Sequence, residues 1–129
     1  MTRLSIEPGA GGIEARCWSE KLRYMYIAWA CRLDFSVSSD GEALLIDCPH
    51  SLAREAGVHS RTRISPFDEA GRRQTSFALV KVNGEGDWNK RVRSYIEDPY
   101  TRVKDFITGV ETPDVADVFE GFIDEFLNG

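Results

Sequence analysis

One long apolar stripe with helical spacing constrains the fold more than any other feature of this sequence. It begins directly after residues 8–12, Pro-Gly-Ala-Gly-Gly, which neither a helix nor a strand tolerates. From there apolar side chains recur at steps of three and four residues, at Ala15, Trp18, Leu22, Met25, Trp29 and Leu33. The spacing predicts an amphipathic helix over residues 13–33, about 30 Å long. Such a helix must bury its apolar face against another layer of structure.

The remaining pattern supplies that layer. Alternating or β-branched segments predict about five short strands. They are expected near residues 35–37, 43–48, 58–64, 74–82 and 90–96. A second amphipathic helix is predicted over residues 113–127, with Thr112 as its N-cap and Pro113 in its first turn. The expected fold is a single α+β domain, residues 1–129, in which a sheet of about five strands packs against two long amphipathic helices.

Composition and charge exclude several classes of protein. Apolar residues make up 42% of the 129 residues and charged residues 29%, as in an ordinary globular domain. No apolar run approaches the length of a membrane span, so no membrane partner is expected. Cys17, Cys31 and Cys48 lack metal-ligand spacing, and they are expected to be free thiols in the cytoplasm. The net charge is −5, but residues 50–104 alone carry +4, which leaves room for a local polyanion site.

The sequence contains no recognisable signature of an enzyme active site. Gly9, Gly11 and Gly12 precede a helix and allow either an anion-binding loop or a tight turn, but their spacing fits no known phosphate motif. His50 and His59 accompany no nucleophile signature. We therefore expect no catalytic residue, no metal and no cofactor.

The basic and aromatic residues in the middle of the chain favour a function in RNA binding. His59, Arg61 and Arg63 alternate along one face of a predicted strand. The strand leads into a loop that carries Phe67, and Arg72 and Arg73 follow. An aromatic loop tip framed by arginines can stack on unpaired bases and contact phosphates. We predict phosphate contacts by His59, Arg61, Arg63, Arg72 and Arg73; the alternative is a solvated, arginine-rich strand edge.

These residues carry a family resemblance. Residues 55–77 resemble the codon-reading segment of bacterial peptide chain release factor 2, and Ser65-Pro66-Phe67 is identical to its SPF tripeptide, the form associated with UGA and UAA. The PxT form of release factor 1 is absent. Residues 9–15, 91–96 and 102–112 resemble other segments of the same family in the same order. The resemblance extends over about residues 5–127.

The resemblance implies a role for each of these residues. Gly11 and Glu14 would contact the first base of the stop codon. Ser65, Pro66 and Phe67 would frame the second base, and the Thr75 hydroxyl would contact the third. The family has His where this chain has Gln74, which stacks less well on a base. The implied partners are the small-subunit decoding centre of the ribosome and the stop codon of the mRNA.

The resemblance also indicates what this chain lacks. Release factors carry a GGQ domain between the segments that correspond to Val82 and Arg91. Here residues 83–89 replace it, and we predict a hairpin-like link between neighbouring strands. Gly-Gly occurs once, at residues 11–12, and Ile13 follows it. The family's N-terminal helical domain is expected to be missing as well.

A codon-reading domain without GGQ is expected to bind ribosomes without releasing peptide. Three functions remain open. The module could compete with the cell's release factor, it could read codons for a separate GGQ-bearing protein, or it could be a protein-interaction module that no longer binds RNA. The intact SPF tripeptide favours the first two, whereas Gln74 and the net negative charge favour the third.

Overall fold

The computed structural model describes residues 1–127 as one sheet with helices on one face. The strands are β1 (Thr2–Pro8), β2 (Ser36–Asp40), β3 (Ala43–Asp47), β4 (Gly57–Ile64), β5 (Arg73–Val82), β6 (Arg91–Ile96), β7 (Arg102–Asp105) and β8 (Glu111–Thr112). The helices are α1 (Gly12–Arg32), α2 (Val115–Phe119) and α3 (Asp124–Leu127), and a 3-10 turn covers Ala53–Glu55. The predicted α+β class is confirmed.

The eight strands run in the order β2-β3-β1-β5-β4-β6-β7-β8. All neighbouring strands are antiparallel except β4 and β6, which are parallel. The sequence predicts about five strands, and the three that it does not predict are β1, β7 and β8. β1 pairs with β3 on one side and β5 on the other, so its extended form depends on partners that are distant in the sequence.

The predicted first helix is confirmed within one residue at each end. Its stripe residues Trp18, Leu22, Met25 and Trp29 are completely buried against the sheet. Trp18 Nε1 also donates to the backbone oxygen of His59 at 2.9 Å, which fixes α1 over β4. The helix therefore sits directly on the strand that leads into the SPF loop.

The predicted second helix is wrong as one continuous element. α2 ends at Phe119 and α3 begins at Asp124. Gly121 lies between them at φ +97°, and a Cβ there would come within 2.4 Å of the backbone nitrogen of Trp29. Close contact with α1 therefore requires glycine in a conformation that ends the helix. The apolar residues Val118, Phe119, Ile123 and Phe126 are buried as the pattern predicts, whereas Phe122 of the same predicted stripe is 51% exposed.

The predicted link between neighbouring strands is also wrong, because β4 lies between β5 and β6. Asn83 and Gly84 form a tight turn with positive φ, closed by a bridge between Val82 and Glu85. The chain then crosses the start of β4, where the Lys90 oxygen accepts from the Val58 nitrogen at 2.8 Å. Gly57 permits this crossing, since a Cβ there would lie 2.7 Å from the same oxygen.

In the part of the chain that the structure describes, no helix combines the length and the apolar character that crossing a membrane requires.

Candidate nucleic-acid interface

Two segments that the sequence separates by about fifty residues touch at one end of the sheet. The Ser65 hydroxyl follows β4 and donates to Glu14 Oε2, in the first turn of α1, at 3.1 Å. Ser65 and Glu14 are 2% and 3% exposed. The start of β5 lies beside them, because Arg63 pairs with Gln74 across the two strands. The residues that the resemblance assigned to the first and second bases therefore share one site.

The Glu14 carboxylate points into the protein. Arg63 donates to it twice, Nε to Oε1 at 2.6 Å and Nη2 to Oε2 at 3.0 Å. The Arg63 hydrogen bond is the main reason that the pKa of Glu14 is lowered, and its charge and Ser65 add to the effect against the cost of burial. Glu14 is thus ionised and occupied by protein donors. A ligand at this helix end would meet the backbone N–H groups of the first turn, which have no partner within the helix.

The glycine loop before α1 places that helix end beside β5. Gly9 donates its backbone N–H to the Phe77 oxygen at 2.8 Å, and a Cβ on Gly9 would lie 2.8 Å from the same oxygen. Gly11 and Gly12 are exposed and have φ values of +127° and +62°. The loop is therefore a tight turn, and its backbone remains open to a ligand.

The SPF loop is a compact turn that presents an aromatic ring. The Phe67 nitrogen donates to Ser65 Oγ at 3.2 Å, and the Asp68 nitrogen donates to the Ser65 oxygen at 3.2 Å. Pro66 is exposed, and Phe67 is 49% exposed. A buried serine thus anchors the loop while the ring next to it faces solvent, as a stacking contact requires.

Gln74 and Thr75 point to opposite faces of β5. Gln74 Nε2 donates to Asp68 Oδ2 at 3.0 Å, on the side of the SPF loop. The Thr75 hydroxyl lies on the open face of the sheet, 2.9 Å from the hydroxyl of Thr62. The sequence pattern did not single out Asp68, although an Asp shortly after a Pro is a common turn residue.

The cationic row alternates as predicted, but its face is turned toward α1. His59 is completely buried, and Arg61 is 6% exposed with its Nε 2.6 Å from Glu97 Oε2. The prediction that these two residues contact phosphates is wrong, because the helix covers them. Arg63 is committed to Glu14. Arg72 and Arg73 are exposed at the loop, where Arg72 also pairs with Asp68 at 3.0 Å, and their phosphate contacts stay a prediction.

A buried charged network that the sequence analysis missed supports the other end of β4. Arg93 donates to both oxygens of Glu55, at 2.9 and 2.6 Å, and to Asp105 at 2.9 Å. His59 Nδ1 lies 3.0 Å from the Tyr95 hydroxyl, and burial lowers the pKa of His59 to about 4. Arg93 and Tyr95 lie on one face of β6 because they are two residues apart, and only the tertiary packing shows that this face is internal.

The described residues 1–127 contain no group of three or more His, Cys, Asp or Glu side chains that could hold a metal ion.

Comparison with known proteins identifies the class to which this fold and loop belong. A PCRF domain model matches residues 2–42 and 49–80, more than half of the chain. The chain therefore belongs to the PCRF domain family.

Within that family, it is similar to release factor 2. It is 27% identical to peptide chain release factor 2 of Kosmotoga olearia and 28% identical to that of Thermotoga maritima, each over 96% of this chain and 62% of the relative. Identity to the Rhodococcus erythropolis protein is 46% over 61% of this chain and 25% of the relative. The RF2 structure of Thermus thermophilus has the same fold, with a TM-score of 0.83 and 23% identity over 98% of this chain and 66% of that chain.

The chain spans less than two thirds of the length of these relatives. The Kosmotoga olearia alignment extends over 229 positions, of which this chain fills about 124, so about 105 positions hold residues of the relative alone.

Proposed function

We propose that this protein binds stop codons of the UGA and UAA type in the ribosomal A site and modulates termination by competing with the full-length release factor. The observation that carries the proposal is the contact between Ser65 and Glu14. It joins the SPF loop to the helix end that the resemblance assigns to the first codon base. Both segments rest on one sheet and one helix, so the reading groups are positioned before any RNA arrives.

The absence of hydrolytic activity is part of the proposal. Residues 83–90 join β5 to β6 where the resemblance puts the GGQ domain, and the sequence contains no Gly-Gly-Gln. The Kosmotoga olearia relative has roughly 105 aligned residues without a counterpart in this chain. We propose that most of them lie where this chain has the link. Without GGQ, the protein has no group to position water at the peptidyl-transferase centre.

The test is a binding and release assay on programmed ribosomes. Purified protein is sedimented with ribosomes that carry UGA, UAA, UAG or a sense codon in the A site. We expect the strongest binding with UGA and UAA, no peptide release by the protein alone, and slower release at UGA when it is added in excess over the full factor. Equal binding to stop and sense codons would contradict the proposal, and so would release by the pure protein.

The same assay separates the competing role from the alternatives. Addition of a separate GGQ-bearing protein should not raise release at UGA if this protein is a competitor. A rise would identify it as the codon-reading partner of such a protein. No ribosome binding at low salt would favour a protein-interaction module.

A further inference from the structure

The hydrogen-bonding capacity of Ser65 is almost fully used in this structure. A serine hydroxyl can donate once and accept twice. Ser65 donates to Glu14 Oε2 at 3.1 Å and accepts from the Phe67 nitrogen at 3.2 Å. The direction of the first bond is certain, because an ionised carboxylate can only accept. Among the hydrogen bonds of the described residues, one acceptor position of the hydroxyl has no partner.

This orientation suits one purine better than the other. At the 6 position, adenine carries an amino donor and guanine carries a carbonyl acceptor. In its resting orientation Ser65 can accept from adenine. To donate to guanine, the hydroxyl must turn its proton away from Glu14. Reading UGA therefore costs one hydrogen bond that reading UAA does not.

Arg63 controls the size of that cost. The described side-chain donors to Glu14 are Ser65 and Arg63, and Arg63 supplies two of the three bonds. When the Ser65 hydroxyl turns away, Arg63 still pairs the buried carboxylate. Without Arg63, the same rotation would leave a buried charge without a donor, which is far more costly.

We propose that Arg63 is a specificity-determining residue, which sets the balance between guanine and adenine at the second codon position through Glu14 and Ser65. This inference rests on the proposed function and deepens it. It replaces the phosphate contact predicted for Arg63 with a positioning role.

The chain offers a matched control two residues away. Arg61 lies on the same face of β4 and forms an equally short ion pair, with Glu97 at 2.6 Å, but it does not touch Glu14 or Ser65. Arg61→Gln and Arg63→Gln therefore remove the same kind of ion pair from the same strand. Only the second change removes hydrogen-bond donors from Glu14, on which Arg61 acts through its charge alone and more weakly than Arg63.

The experiment measures Kd for ribosomes programmed with UGA and with UAA, and compares their ratio among variants. We expect Arg63→Gln to weaken UGA binding about three- to tenfold more than UAA binding, since Glu14 then retains Ser65 more strongly. Arg63→Lys should restore part of the ratio, and Arg61→Gln should leave it unchanged. Glu14→Gln should shift the ratio the opposite way, because a neutral amide oxygen accepts the Ser65 proton less strongly than a carboxylate does.

Opposite shifts from Arg63→Gln and Glu14→Gln cannot arise from a general loss of folding. If Arg63→Gln fails to fold, Glu14→Gln still decides the question. The inference is overturned if the unaltered protein prefers stop codons to sense codons but neither variant moves the UGA to UAA ratio. If the unaltered protein shows no preference for stop codons, the proposed function itself has failed.

Discussion

Gln74 donates its side-chain amide to the carboxylate of Asp68 at 3.0 Å, which ties the start of β5 to the loop that carries Phe67. Asp68 also accepts from Arg72 Nε at 3.0 Å and from the Ala70 nitrogen at 2.9 Å. The hydrogen bond from Arg72 is the main reason that the pKa of Asp68 is lowered, so the carboxylate is an ionised hub for the loop. Gln74 therefore supports the loop, and its flexible amide offers a base little surface for stacking.

Gln74→His should tighten binding to UGA and UAA ribosomes. An imidazole can keep a bond to Asp68 and also stack on a base, and base stacking contributes about 1–3 kcal/mol. The measurement is Kd by sedimentation or fluorescence titration. Gln74→Ala is the control, because it frees Asp68 without supplying a ring. Equal gains from both variants would show that release of Asp68, and not stacking, is responsible.

Phe67→Ala should weaken stop-codon binding by about 1–3 kcal/mol. Because the ring is 49% exposed, the free energy of unfolding should change by no more than about 0.5 kcal/mol. Phe122 is equally exposed, at 51%, and lies between α2 and α3. Phe122→Ala is therefore the matched control and should leave ribosome binding unchanged. A similar loss from both variants would count against a specific role for the SPF loop.

The salt dependence of ribosome binding should identify the arginines that contact phosphate. Arg72→Gln and Arg73→Gln should each reduce the slope of log K against log salt by about one, because these residues are exposed at the loop. Arg61→Gln should leave the slope unchanged, since Arg61 is buried under α1. A reduced slope for Arg61→Gln would mean that α1 moves away from the sheet when RNA binds, so that Arg61 can contact phosphate.

Stability should fall as the pH is lowered, because of His59. Burial lowers its pKa from 6.5 to about 4. Between these values the unfolded chain binds the proton and the folded protein does not, so this contribution is complete above pH 6.5 and is lost as the pH falls toward 4. From pH 7.5 to pH 5 we expect a loss of about 2 kcal/mol in urea unfolding. In His59→Gln this part of the pH dependence should disappear, and an unchanged slope would contradict the assignment.

Arg93→Met should be severely destabilising. It would leave Glu55 and Asp105 buried without their cation, which costs about 3–5 kcal/mol. Arg102 and Glu111 form an ion pair that is about 40% exposed, so Arg102→Met should cost less than about 1 kcal/mol. Chemical unfolding of both variants tests the difference. Comparable losses would show that burial does not determine how much each ion pair contributes to the free energy of unfolding.

Local sequence patterns predicted those elements of the fold that depend only on residues close together in the chain. The three- and four-residue spacing of Trp18, Leu22 and Trp29 predicted α1 because a helical stripe has few alternatives. Residues 65–67 and the glycines before α1 likewise predicted a loop and the start of a helix. These features depend on neighbouring residues, which the sequence displays directly.

The order of the strands in the sheet and the break between α2 and α3 could not be predicted from local sequence patterns. β5 and β6 are separated by a short polar link, which local rules interpret as a hairpin, yet β4 lies between them. The continuous pattern after Thr112 predicts one helix, yet Gly121 must fit against the backbone of Trp29. In both cases the deciding contact comes from a segment far away in the sequence.

The amino-acid pattern was enough to predict the α+β class, α1, the SPF loop and the alternation of His59, Arg61 and Arg63 along one strand face. The packing of the helix on the sheet was needed to show that this face lies under α1, so that Arg63 pairs with Glu14 and not with solvent. Alternation distinguishes two faces of a strand, but charge alone does not tell which of them a helix will cover. That choice depends on carboxylates from distant segments, Glu14 and Glu97, which make burial of arginine possible.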